Sequence, residues 1–145
     1  MLPEINNYIN LVEKLDYDLK RYAQNNHIYE LMDCFLTINA VPEWILKSLE
    51  ASDSLKNIAN EKIQIMKGND FVFDETKLTD INHKLRLVWL ICNHSKHKTN
   101  SAIIPVVKNK FGTTLPFTLP GKFYNIVAIG EHEIDAEYIL HDITN

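Results

Sequence analysis

The sequence predicts a mainly α protein: an antiparallel helical bundle of about four helices with a small β-containing C-terminal appendage. Three observations lead there. Apolar residues recur at three-and-four spacing through most of residues 1–100. Capping residues fall between those stretches, as helix ends require. Beyond Asn100 lie three of the five prolines and three of the four glycines, among short β-branched runs.

Residues 3–25 read as the first helix. Ile5, Tyr8, Ile9, Val12, Leu15, Leu19, Tyr22 and Ala23 share one face, and Pro3 suits a first turn. A second helix starts at Ile28, with Leu31, Met32, Phe35 and Ile38 in phase. Pro42 should kink or restart it, because proline lacks the N–H and clashes with the preceding turn. Helical character then runs to about residue 50. A third helix near 53–67 has a serine or aspartate N-cap and stops at Gly68. Thr79 or Asp80 caps a fourth, running to about Lys98. Its centre, 85–92, is apolar nearly all round and so belongs in the middle of the bundle. Residues 101–145 read as an irregular crossover, one or two strands (most clearly 123–129) and a short terminal helix.

The 145 residues suit a single domain, 1–145, able to bury a core. Cys34 and Cys92 sit in apolar surroundings and are too few for a disulfide framework. With no signal peptide evident, a reduced, cytoplasmic protein is expected. The longest apolar run, Leu87 to Cys92, is far short of the ~20 residues that span a bilayer, so no membrane partner is expected. Charge is uneven. Residues 81–130 contain seven basic residues and no Asp or Glu, a net +7; the other eight basic and all nineteen acidic residues leave the remainder at −11. Such asymmetry points to RNA, DNA or an acidic protein partner, or to pairing between the two halves of the molecule.

The fourth helix carries the chemistry. At 100° per residue, Asn93 and His97 both fall within about 20° of Arg86, making a stripe about 16 Å long. Asn93 and His97, four apart, can share a ligand, with His94, Lys96 and Lys98 beside them. An imidazole can take and return a proton, an amide can orient a hydroxyl, and cations can stabilise a phosphorane-like charge. These are the parts of a metal-independent ribonuclease that uses the 2′-OH: His97, Asn93 and Arg86 as catalytic residues, with Lys96, His94 and Lys98 binding. Arg86 escapes a lysine bias of thirteen to two, which hints that guanidinium geometry matters. The structural alternative has Arg86 pairing with Asp33 or Glu43 while His97 and Lys96 complement the helix dipole. Trp44 and Trp89 read as core, and His132 and His141 as surface. His94 and His97 are spaced for a metal, but no Cys or carboxylate lies near them. With no glycine loop, nucleophile elbow or zinc signature either, neither metal nor cofactor is expected.

Two resemblances bear on this helix. With "CNHSKH" (92–97) and "TINAVPEW" (37–44), the chain is similar to uncharacterised bacterial and phage-borne helical proteins. Those carry an N-x-x-K-H motif, an upstream aromatic element and a β-rich tail. The bundle and the Asn-x-x-x-His spacing also resemble HEPN domains, whose signature is an Arg, four to six residues, then a His. Asn93 and His97 match the last two positions of Arg-Asn-x-x-x-His, while Cys92 stands at the Arg position and ten residues separate Arg86 from His97. The resemblance implies a dimeric RNA-cleaving or RNA-binding protein of a bacterial or mobile-element defence or toxin system. The alternative is a non-enzymatic, antitoxin-like or anti-defence interaction protein that uses the basic 81–130 block.

Overall fold

A computed structural model describes residues 6–97, 105–112, 122–129 and 131–144. The chain is mainly helical, with helices α1 (Tyr8–Asn25), α2 (Ile28–Lys47), α3 (Asp53–Lys67) and α4 (Ile81–His97) packed together. A single 3-10 turn, Glu75–Lys77, precedes α4. Strands β1 (Val106–Gly112), β2 (Lys122–Ile129) and β3 (His132–Asp135) form an antiparallel sheet in the order β1-β2-β3, and α5 (Ala136–Thr144) follows.

Local chemistry explains the helix ends. The Asn7 side chain accepts the Asn10 N–H, so α1 begins at Tyr8 rather than at Pro3; residues 3–5 lie outside the described residues. Its buried stripe is Leu11, Asp18 and Tyr22, with Leu15 and Leu19 beside it. Ile9 and Val12, expected on that face, are exposed because α1 packs chiefly on α2 at the edge of the bundle. Asn26 closes α1 in a left-handed conformation, and two residues later α2 runs back antiparallel. Helix α2 continues through Pro42 without restarting. Packing against α1, α3 and α4 outweighs one lost backbone bond. It stops at Lys47, where the Ser48 hydroxyl donates to the Trp44 carbonyl (2.6 Å). Ser52 caps α3, Gly68 ends it at φ +79°, and Asp80 accepts the N–H groups of Asn82 and His83 at the head of α4.

Helix α4 supplies the centre of the core, where Leu85, Leu87, Val88, Ile91 and Cys92 meet Leu31, Cys34 and Phe35 of α2, and Ile139 of α5. A polar cluster interrupts this interior. Asp18, only 4% exposed, accepts both Lys14 Nζ and Thr37 Oγ1 at 2.7 Å, and Lys14 Nζ also reaches Thr37 Oγ1 (3.0 Å). Buried carboxylates persist when partnered this way, and here the partners lock α1 to α2. Cys34 lies beneath. Burial, reinforced by the Asp18 and Asp33 carboxylates, pushes its thiol up to about 12.

The sheet is pinned to the helices by Asn125, which is 1% exposed. Its Nδ2 donates to Tyr22 Oη (2.9 Å) and to the Asn26 carbonyl (3.1 Å). Asn125 thus marks the bundle-facing side of β2, which Val127 and Ile129 share by alternation.

Candidate functional site

Arg86 is committed to the fold by three contacts. Its Nη1 donates to the Met66 carbonyl (2.7 Å), one of the acceptors that the end of α3 leaves without a helical partner. The guanidinium also stands 4.7 Å from the Trp89 ring centroid, at cation–π range. Gly68 forms the floor: a Cβ there would meet Arg86 Cζ and Nη2 at 2.9 Å. Burial holds the Arg86 pKa below its ordinary value, yet arginine keeps its charge at any working pH. Among the described residues no carboxylate pairs with it; Glu43 instead lies 3.9 Å from Lys67. Asp33 and Glu43 are therefore not its partners. Arg86 serves the negative end of the α3 dipole.

The other predicted residues stand at the far end of α4. Asn93 and His94 are half-buried. The backbone of Lys96 and His97 completes the helix, while Lys98 lies outside the described residues. His94 lines a groove with Ile28, Tyr29 and Met32 of α2, Ile91 of α4, and Pro105, Val106 and Val107 at the start of β1. The helix end and the sheet edge thus form one surface. Tyr29 is 75% exposed on its rim, and sequence reasoning missed it.

The hairpin adds a second feature. Its register pairs Lys108 with Ile126, Lys110 with Tyr124 and Gly112 with Lys122. Alternation puts Lys108, Lys110, Lys122 and Tyr124 at positions of one face, opposite to that of Asn125. The Lys108 side chain is exposed. Register also sets Glu133 and Asp135 of β3 beside Ala128 and Ile126 on this face, so the lysine positions gather toward the β1 edge and the hairpin end.

Not all of the acid-free block is surface. Lys84 is buried, and burial lowers its ammonium pKa against the opposing pull of Asp80. His83 is buried too; its Nδ1 accepts the Asp74 N–H (3.1 Å), and its ring packs on Phe71 and Phe73. His132, expected at the surface, is half-buried with Nδ1 3.5 Å from Glu75 Oε1, because β3 packs near the 3-10 turn. His141 is exposed, and Trp44 and Trp89 are half-buried. Among the described residues no three His, Cys, Asp or Glu side chains gather as a metal site, and no helix is long and apolar enough to cross a membrane.

The chain matches no family model, no curated protein and no solved structure.

Proposed function

We propose that this chain binds RNA through the β1–β2 face and the adjoining end of α4. The single observation that carries the reading is the hairpin register, which sets three lysine positions and Tyr124 on one face within an acid-free stretch. Clustered lysines neutralise phosphates, and aromatic residues among them suit bases. Asn93 and His97 then stand next to bound RNA. An imidazole taking the 2′-OH proton, with the amide orienting that hydroxyl, is the cleavage chemistry these residues offer. Lys96, His94 and Lys98 would hold the flanking phosphates.

One observation favours binding without cleavage. The Arg86 guanidinium is engaged at the end of α3, so the stripe lacks a free arginine to stabilise a phosphorane. The test is fluorescence anisotropy with a single-stranded RNA at rising salt. Binding should weaken with salt, and replacing Lys108, Lys110 and Lys122 with Gln should reduce the log–log salt slope by about 2. Binding that ignores both salt and the lysines rejects the reading. Incubating wild type and His97→Ala with RNA in EDTA decides whether cleavage accompanies binding: products from wild type alone assign His97 the proton transfer.

A further inference from the structure

We infer that the groove between the start of α2 and the start of β1 holds an unpaired nucleobase of single-stranded RNA, stacked on Tyr29. The inference rests on the RNA-binding reading and deepens it by naming the part of the polymer that enters. The exposed Tyr29 ring stands beside an apolar wall and has a ring neighbour. Its ring centroid lies 4.9 Å from that of His27, tilted by 57°. His27 Nδ1 accepts the Tyr29 N–H (3.1 Å) as the cap of α2, so both residues belong to the helix start. Met32, Ile91 and Val106 supply apolar walls, and His94 lines the groove with them.

Charge decides what such a groove accepts. Among the described residues no carboxylate lines it. The neighbouring Glu30 is occupied, accepting Asn25 Nδ2 at 3.0 and 3.1 Å and lying 4.0 Å from Arg21. Lys108 is exposed on the same side of β1 as Val106, about 7 Å further along the strand, within the reach of one nucleotide. An apolar wall, an exposed aromatic, a nearby cation and a lining free of carboxylates among the described residues match a base and its phosphate. Duplex RNA keeps its bases stacked on one another; only an unpaired base can be turned out onto the ring.

The experiment compares an oligouridylate with an abasic ribose-phosphate oligomer of equal length, on wild type, Tyr29→Ala, Tyr29→Phe and the triple lysine-to-Gln variant. Circular dichroism confirms that each is folded. Wild type should bind the oligouridylate about ten-fold or more tightly than the abasic oligomer. Tyr29→Ala should reduce that preference several-fold without changing the salt slope, and Tyr29→Phe should keep it. Lysine-dependent binding with a silent Tyr29→Ala overturns the base site and leaves the RNA reading standing. Failure of wild type to bind either oligomer overturns both, and the lysine face then becomes a surface for an acidic protein.

Discussion

Gly68→Ala should cost about 3–5 kcal/mol, more than a capping glycine usually does. An L side chain in the left-handed region costs about 1–2 kcal/mol by itself. The new Cβ would stand 2.9 Å from Arg86 Cζ and Nη2 and 3.3 Å from Nε, too close to coexist. The guanidinium is the movable end of a long side chain, so it retreats while the backbone stays. Retreat forfeits a charged hydrogen bond to the Met66 carbonyl, worth about 1.5–3 kcal/mol, and weakens the Trp89 contact, worth about 0.5–2. Half-burial lets water recover part of this, which keeps the total near the lower sums. Arg86→Ala alone should cost about 2–4 kcal/mol for the same two contacts, with no stranded carboxylate to raise it. The double variant is the decisive sample. With the guanidinium gone, the methyl group introduced by Gly68→Ala adds only its backbone strain, so the double cost falls short of the sum by about 2 kcal/mol. Urea denaturation followed by circular dichroism measures all four corners of the cycle. Costs that add to within about 0.5 kcal/mol would refute the claim that Gly68 makes room for Arg86. Arg86→Ala should also leave RNA affinity unchanged in the anisotropy assay, because its guanidinium faces α3.

Three further outcomes are expected. Lys14→Met should destabilise by about 2–4 kcal/mol, since among the described residues it leaves the buried Asp18 carboxylate with Thr37 as its remaining side-chain donor; Asp18→Asn should cost less, and equal costs in urea melts would argue against a charged cluster. Cys34 should make stability fall at alkaline pH: a thiol raised in the folded state is fully favourable below the ordinary value of 9.0, and its contribution is lost as pH rises toward about 12. Tyr22, also raised by burial, acts in the same direction, so Cys34→Ala should flatten this alkaline limb only in part in pH-dependent melts. Asn125→Ala should cost about 2–4 kcal/mol and speed amide exchange in β1 and β2 ahead of α4; uniform exchange across the chain would show that Asn125 does not anchor the sheet.

Helix α3 was the most legible element, because Ser52 and Gly68 are local signals that act through their own backbone. Helix α4 was legible as a core element from its apolar centre. The lysine bias drew attention to Arg86, but its contacts were not readable, since the partner is a main-chain carbonyl that no residue type announces. Asp18 was hidden for a related reason: Lys14 is one turn away, but Thr37 reaches it only through folding. The sheet was half visible. The 123–129 run stood out, whereas β1, "VVKNKFG", mixes polar and apolar residues and owes its pairing to β2. Tyr29 gave no signal at all, because an exposed aromatic on a helix is distinguished only by what β1 brings beside it.

The Asn125–Tyr22 bond joins residues 103 apart in sequence. During synthesis the α1–α2 corner leaves the ribosome long before β2, so the Tyr22 hydroxyl and the Asn26 carbonyl face water until most of the chain has emerged. The bond therefore forms only when the sheet docks on the helices, a contact between residues far apart in sequence. A nascent chain stalled before β2 lacks the partner of the Tyr22 hydroxyl and the Asn26 carbonyl, and leaves that corner of α1 and α2 uncovered.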